Sequence, residues 1–397
     1  MQAKTVYITQ AFLSSFFTTG IFTVSMVYQV NDVGLDPLQL ILVGTTLEVT
    51  AFLFEVPTGV VADLKSRRLS MIIGYVLFGV GMVLMGWIPT FWACVVANIL
   101  RGIGGSFTSG AQEAWLVDET IHEHGSDEPV NQTFLRGSQA GSVGSILAIP
   151  ISVAVAWQDT AMPTVAGGIG LIAIAIGLTV AMRENGFHPV PAERRETWQS
   201  MKRTVVTSVG HIRREHYLAL ILAISFVYGL SSDGYDRLTA PHLLQGFDLP
   251  FQEAVEPVAW FGLISLVSQV VSLGMTELVR RGINLNSGSA VATALMLSNV
   301  GIVGAIVWLA WTGSFWMALA AIWAIGGLRR TGGPLLTAWY NQQIQDPNVR
   351  ATMFSVRAQA YAIGQIAGGP PAGAIGRWVS VGWGITASAA MLSLVIP

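Results

Sequence analysis

Charge is what this sequence has least of. Only 11% of its 397 residues are Asp, Glu, Lys or Arg, while 52% are hydrophobic; a soluble domain carries about 25% charged residues. So few charges do not cover a water-soluble fold of this length, which excludes a cytosolic enzyme, a secreted scaffold and a disordered regulator. Cysteine is absent but for Cys94, set in an apolar run, so there is no disulfide framework and no Cys-based metal site. The 21 basic and 23 acidic side chains leave a net charge of −2, which excludes a polybasic nucleic-acid binder. No HExxH metal motif, GxSxG elbow or Walker A loop occurs, so neither hydrolytic nor ATP-coupled chemistry is indicated and no cofactor is expected. What the sequence has in quantity is glycine, 43 residues, and tryptophan, 13. Both suit closely packed helices in a bilayer with aromatic side chains at its interfaces.

Twelve apolar runs are long enough for a helix to cross a hydrocarbon core about 30 Å thick. They are 6–30, 38–63, 69–88, 91–118, 133–156, 161–182, 217–244, 254–279, 286–311, 315–342, 352–375 and 378–397. None alternates with the period of two of a membrane β-strand. The fold class expected is an all-α polytopic membrane protein with twelve transmembrane helices. The first run follows a single lysine, Lys4, and is too long for a signal-peptide core, so a retained helix is expected; the last reaches Pro397, where a shortened tail is expected. Lysine and arginine set the orientation. Lys4, Lys65, Arg67, Arg68, Arg183, Arg280, Arg281, Arg350 and the basic residues of 184–214 fall on one side, while loops 31–37, 157–160, 245–253 and 312–314 hold none. Arg377 is the one misplaced loop charge. Both termini are therefore expected on the cytoplasmic side of a multi-pass protein.

The polar stretch 184–214 leaves 183 residues on either side. The halves echo each other: Phe134, Gln139, Ala140, Gly144, Ile146 and Pro150 recur 220 positions later as Phe354, Gln359, Ala360, Gly364, Ile366 and Pro370. The organisation expected is an N-terminal six-helix bundle (1–183), a cytoplasmic linker (184–214) and a C-terminal six-helix bundle (215–397), related by pseudo-two-fold symmetry. Parallel repeats of this kind place a substrate site between the halves near the bilayer midplane.

Between the second and third runs lies Gly59-Val60-Val61-Ala62-Asp63-Leu64-Lys65-Ser66-Arg67-Arg68. The glycine permits close helix contact, the acid caps the following turn, and the arginines can pair with acids at neighbouring helix ends. The stretch resembles the loop 2–3 signature of the major facilitator superfamily, G-x-x-x-D-x-x-(G)-R-(R/K), with Ser66 where glycine is usual. A weaker copy, Gly274-Met275-Thr276-Glu277-Leu278-Val279-Arg280-Arg281-Gly282, occupies the matching loop of the second half. The resemblance implies a secondary active transporter that alternates the access of a central cavity, binds a small-molecule substrate, performs no enzymatic chemistry and sits in membrane lipid. A bacterial inner (plasma) membrane is its expected home, and nothing in the sequence requires more than a monomer. In relatives the motif latches the halves on the cytoplasmic side in the outward-open state. Carried over, Gly59, Asp63, Arg67 and Arg68 form the gate motif. Asp63 would pair with Arg350 or Arg357, and Arg67 or Arg68 with Asp118 or Glu119. The alternative is that these are simply positive-inside charges.

An ionisable residue at the centre of a span is costly, and its default reading is functional. Glu48 in span 2 and Arg101 in span 4 share a depth; in the second half Asp233, Asp236 and Arg237 in span 7 face Arg329 and Arg330 in span 10. The pairings expected are Glu48 with Arg101 and Asp233 with Arg329, although Asp233 and Arg237 are also spaced i,i+4. Glu48, Arg101, Asp233, Asp236 and Arg329 are the candidates for proton coupling or substrate binding, against the alternative of structural ion pairs. Glu55, on the face of Glu48, is a candidate proton relay or a mere hydrogen-bond acceptor.

Arg101 with Gly102-Ile103-Gly104-Gly105 resembles the span 4 motif of drug–proton antiporters, and Asn98, Arg101, Gly105, Thr108, Gln112 and Trp115 form a polar strip at helical spacing. Span 5 carries Gly137, Gly141 and Gly144 but has Ser142 where the antiporter motif has proline, and helix packing alone accounts for such small residues. Burial raises a carboxyl pKa and a nearby arginine lowers it, so a rearrangement that separates such a pair moves a proton. The leading expectation is therefore export of small amphipathic compounds or drugs, with the proton gradient as energy source. A proton-coupled symporter or uniporter of a metabolite is the alternative, and a non-transporting membrane sensor a third.

Overall fold

Short polar residues in the turns start the helices. Ser66, Thr90, Ser287 and Ser380 each accept a hydrogen bond from the backbone N–H three residues on, satisfying donors that a helix start leaves open. The computed structural model describes residues 2–125, 128–189, 216–251, 255–283, 287–343 and 347–396. Its helices are α1 (Ala3–Asn31), α2 (Pro37–Leu64), α3 (Arg67–Trp87), α4 (Phe91–Thr108), α5 (Ala111–His124), α6 (Glu128–Ala156) and α7 (Met162–Ala181). After the linker come α8 (His216–Gly246), α9 (Pro257–Gly282), α10 (Gly288–Trp311), α11 (Phe315–Gln343), α12 (Pro347–Trp378) and α13 (Val381–Ser393). Among the described residues the fold is all-α, with thirteen helices, and seven of these are long and apolar enough to cross a membrane by length and composition alone.

The expected spans match these helices to within a few residues, with one correction. The fourth run, expected as a single span over 91–118, is two helices. Ser109 is extended and Gly110 left-handed at φ 72°, so α4 ends and α5 starts afresh. Glycine adopts that φ without the clash a side chain would bring. The polar strip from Asn98 to Trp115 is therefore interrupted.

The chain divides into two compact units, Met1–Val33 with Thr46–Met201, and Gly34–Thr45 with Lys202–Pro397. The first turns of α2 thus sort with the second unit. There a Cβ on Gly373 would lie 3.1 Å from Ile41 Cδ1, and one on Gly376 would lie 3.2 Å from Pro37 Cβ. The loop before α2 also explains the misplaced Arg377, whose Nη1 lies 3.3 Å from Asp36 Oδ2.

In the first unit α1 packs along α6, and α3 along α4 and α7. Gly137, Gly141 and Gly144 serve the α1–α6 contact; a Cβ on Gly144 would lie 2.5 Å from the Phe12 carbonyl oxygen. In the second unit α8 packs along α12 and α13, and α10 along α11. Helices α8 and α12 approach so closely that a Cβ on Gly229, Gly364 or Gly368 would overlap the backbone carbonyl of Tyr361, Phe226 or Leu230 respectively. α12 runs unbroken through Pro370 and Pro371. Without such small residues two polar-bearing helices would not meet backbone to backbone.

This contact generates a prediction. Gly368→Leu, which overpacks it, should cost about 1–3 kcal/mol, read as a lowered melting temperature of the purified protein. Gly304→Leu, where a Cβ would meet no atom within 4 Å, should leave the melting temperature unchanged.

Candidate functional site

Helix α8 brings three ionisable side chains, Asp233, Asp236 and Arg237, into the second unit within five positions. Asp233 and Arg237 stand one turn apart and pair at 3.6 Å, both buried. The guanidinium of Arg237 lies where a Cβ of Gly44 would be, so α2 can lie against it only because position 44 has no side chain. Among the described residues the second carboxylate oxygen of Asp233 is buried without a hydrogen-bond partner. Asp236 faces away from this pair and receives both terminal nitrogens of Arg329 from α11, at 2.5 and 3.0 Å. The Arg329 guanidinium also lies 5.2 Å from the centre of the Tyr235 ring, close enough for a cation–π contact.

The sequence expectation that Asp233 pairs with Arg329 is corrected: the acid on Arg329 is Asp236, and Asp233 is held by Arg237. The reason is rotational. Residues 233 and 237 share a helix face, whereas 236 is turned about 100° from 237 and points toward α11.

Beside the Asp236–Arg329 pair is a cavity of about 440 Å³ within the second unit. Its walls carry Arg329, Arg357, Asn299, Tyr228, Tyr361 and several serine hydroxyls, with Ile302, Ile306 and Leu392 between them. The Tyr228 hydroxyl donates to Asn299 Oδ1 at 2.7 Å. Arg357, expected in the gate motif, is thus a wall residue of this cavity, while the Arg350 side chain lies outside the described residues. Tyr235 lines the cavity beside Tyr361. Arg330 is exposed. The cavity, and Asn299 with Tyr228 in particular, escaped sequence reading; the signal available was a buried asparagine in the otherwise apolar α10.

In the first unit Arg101 lies 4.3 Å from the Phe22 ring centre and 5.7 Å from that of Phe78. Glu48 is half-buried on α2, and Glu55 is exposed. The loop motif forms a tight network. Arg67 donates to Asp118 and, at 2.6 Å, to the Ala114 carbonyl. Ser66 Oγ donates to Glu184 Oε2 at 2.5 Å, the Arg68 N–H to Glu184 Oε1 at 3.1 Å, and the Arg68 guanidinium to the Thr179 carbonyl. Trp115 donates to the Arg183 carbonyl at 2.6 Å, and Glu119 accepts from the Gly186 N–H at 2.6 Å. The motif therefore ties α3 and α5 to the segment after α7, and Glu184 is the partner that sequence reading missed. Asp63 is half-buried near the end of α2. Among the described residues a Cβ on Gly59 would meet nothing within 4 Å.

A family model described as Major Facilitator Superfamily matches residues 9–369. An uncharacterized MFS-type transporter, YxaM of Bacillus subtilis (strain 168), is 29% identical over 97 residues, and the chain spans about a quarter of that relative, 24% of each. Among solved structures, a mutant form of the nucleoside transporter NupG superposes with a TM-score of 0.79 at 14% identity, over 99% of this chain and 98% of that one. A POT family transporter in complex with a thioalcohol conjugated peptide gives 0.69 at 13%, over 99% and 94%. The human organic anion transporter MFSD10 gives 0.62 at 14%, over 100% and 98%. At these identities the likeness is one of fold.

The two copies of the loop motif differ in burial, and this generates a prediction. Arg67 and Asp118 side chains are 12% and 26% exposed, whereas those of Arg281 and Glu277 are 74% and 41% exposed. Arg67→Ala should therefore destabilise the protein by about 1.5–3 kcal/mol, the range for hydrogen bonds to charged groups. Arg281→Ala should cost no more than about 0.5 kcal/mol. Thermal unfolding of the two variants side by side checks the difference.

Proposed function

The chain belongs to the major facilitator superfamily, a transporter and not an enzyme, and from that premise we propose that it exchanges small amphipathic compounds for protons by alternating access. The observation that carries the reading is the cavity of about 440 Å³ in the second unit, whose walls alternate arginine, amide and hydroxyl groups with isoleucine, leucine and tyrosine rings. A solute with one polar and one apolar side satisfies both kinds of wall, whereas a wholly apolar solute would leave the polar groups without partners.

Coupling is assigned to Asp233. Its carboxylate is buried, holds Arg237 at 3.6 Å and, among the described residues, keeps one oxygen without a hydrogen-bond partner. Such a group gains from taking up a proton once its arginine moves away. The outward direction follows the likeness of Arg101 and the glycines after it to the antiporter motif. Glu48 and Arg101 are the corresponding charges of the first unit, and the Arg67–Asp118 and Glu184 network serves as its cytoplasmic gate. The setting proposed is a bacterial inner membrane, with both termini cytoplasmic, a monomer, and the proton gradient as the energy source. A second reading, symport of a hydrogen-bonding metabolite, is favoured by the serine hydroxyls in the cavity wall.

The test is proton flux in proteoliposomes that enclose a pH-sensitive dye, with amphipathic drugs, sugars and other metabolites added singly under an imposed gradient. An amphipathic compound should dissipate the gradient through the wild type, and Asp233→Asn should lower that rate at least tenfold while the protein remains folded. Gradient-driven transport that persists unchanged in Asp233→Asn sinks the coupling assignment. Dissipation by sugars or other metabolites alone moves the reading to symport.

A further inference from the structure

The buried acid of α8 is met by two neighbouring residues of α2. Gly44 leaves room for the Arg237 guanidinium, and Thr45 brings a hydroxyl to the carboxylate side. Helix α12 presents Gly369 to the same place, where a Cβ would lie 3.2 Å from Asp233 Oδ2 and 3.3 Å from Thr45 Oγ1. Both oxygens therefore border one bare stretch of α12 backbone. Asp233 Oδ1 faces Arg237 at 3.6 Å, whereas Oδ2 is buried and, among the described residues, has no hydrogen-bond partner.

Thr45 is already committed as a donor. Its hydroxyl gives its one proton to the Ile41 carbonyl, one turn back, at 3.1 Å. What remains on that oxygen is lone pairs, which only accept. An ionised carboxylate is acceptor-only as well, so the two oxygens have nothing to exchange and Oδ2 stays without a partner. A protonated carboxyl has an O–H to give, and then the two groups match. The hydroxyl is thus arranged for the neutral acid and not for the ionised one. The charged groups that act on Asp233 are Arg237 and, more weakly, Asp236, which is turned to α11. The residues that other helices set against this region carry no titratable group: Ile41, Gly44 and Thr45 of α2, Gly369 of α12, and Ser388 of α13 beside Gly234.

Resting on the coupling assignment above, we propose that Thr45 is the positioning residue for the proton that Asp233 binds: Oδ2 takes the proton, and Thr45 Oγ1 accepts the resulting O–H. The proton comes from water on the side to which the site is open, adds to a lone pair of Oδ2, and returns to water on the other side. Nothing else is consumed. In the charged state Asp233 holds Arg237. In the neutral state that attraction is gone and Thr45 holds the carboxyl instead. The acid thereby changes partners, from its own helix to α2, as it changes charge. A side chain at 369 would crowd both oxygens, so the glycine is what lets them close to the roughly 2.7 Å of an O–H···O bond.

The experiment follows the C=O stretch of protonated Asp233 by infrared difference spectroscopy across a pH series, with the full chain in lipid nanodiscs. The band is assigned by its loss in Asp233→Asn. Thr45→Val keeps the shape of the side chain and removes the acceptor. It should shift the band and weaken proton binding about tenfold, the order expected when a buried donor loses its partner. Thr45→Ser, which retains the hydroxyl, should titrate as the wild type does. Thr50→Val removes a hydroxyl from the same helix that bonds the Thr46 carbonyl at 2.7 Å in the same manner, and it should leave the band in place. Thr45→Ala repeats the test should the valine variant not fold.

Half-protonation at the same pH in the wild type and Thr45→Val overturns the inference. So does a loss in Thr45→Ser equal to that in Thr45→Val, or an Asp233 that shows no protonated band at any pH where the protein is folded. Proton flux tells this failure from failure of the coupling reading. If Asp233→Asn abolishes flux while Thr45→Val titrates as the wild type does, the inference fails and Asp233 remains the coupling residue. If Thr45 holds the protonated acid yet Asp233→Asn leaves flux unchanged, the inference stands and the coupling reading fails.

Discussion

An ion in a hydrocarbon core is tolerated only where the protein supplies its partner, and the second unit is arranged around that constraint. Helix α8 carries two acids and a base within five residues, and helical rotation sends them to different neighbours. Asp233 and Arg237 neutralise each other on one face, with Gly44 giving the guanidinium room. Asp236 turns to α11 and is neutralised by Arg329. The two acids consequently live in different surroundings, with side-chain exposures of 6% for Asp233 and 47% for Asp236. One is enclosed by packed helices, and the other stands near open space. A single helix thus separates an enclosed charge pair from an exposed one, and the glycine contacts of α8 with α12 hold that rotation in place.

The same constraint explains how much could be read from the sequence. The spans were legible because a bilayer imposes length and apolarity on each of them; the run 161–182, for example, is the helix Met162–Ala181. The break at Gly110 was not, since composition is continuous across it and only the backbone φ distinguishes it. Asp233 with Arg237 could be anticipated because both partners lie on one helix with a fixed period. Asp236 with Arg329 could not be told from its rival, because the residues are 93 apart and the choice depends on how two helices are turned. Glu184 was invisible for a related reason: it comes from an irregular segment after α7, where no periodicity assigns a direction. The cavity is the least legible feature, being defined by where side chains stop.

The departures of this chain from the family pattern have local causes. Ser66 stands where the loop motif usually has glycine, and it does two jobs that glycine cannot. Its hydroxyl caps α3 by accepting from the Leu69 N–H at 2.9 Å, and it donates to Glu184. The loop therefore gains a side-chain anchor in place of backbone freedom. The second copy of the motif has no such burial, and its Arg281–Glu277 pair lies on the surface. Two segments of common pattern have thus taken different physical roles, one embedded in a network and the other solvated.

A carrier must cross its cycle both loaded and unloaded, so an empty site that left a bare guanidinium in the membrane would stall the unloaded step. The Asp236–Arg329 pair avoids this. The carboxylate neutralises the arginine in the absence of solute, and the Tyr235 ring supports the cation from a third direction. The Tyr228–Asn299 bond plays the equivalent part for neutral polar groups, since the phenol donates to the amide oxygen. On both counts the protein itself supplies the partners, so these buried polar groups are not left unsatisfied.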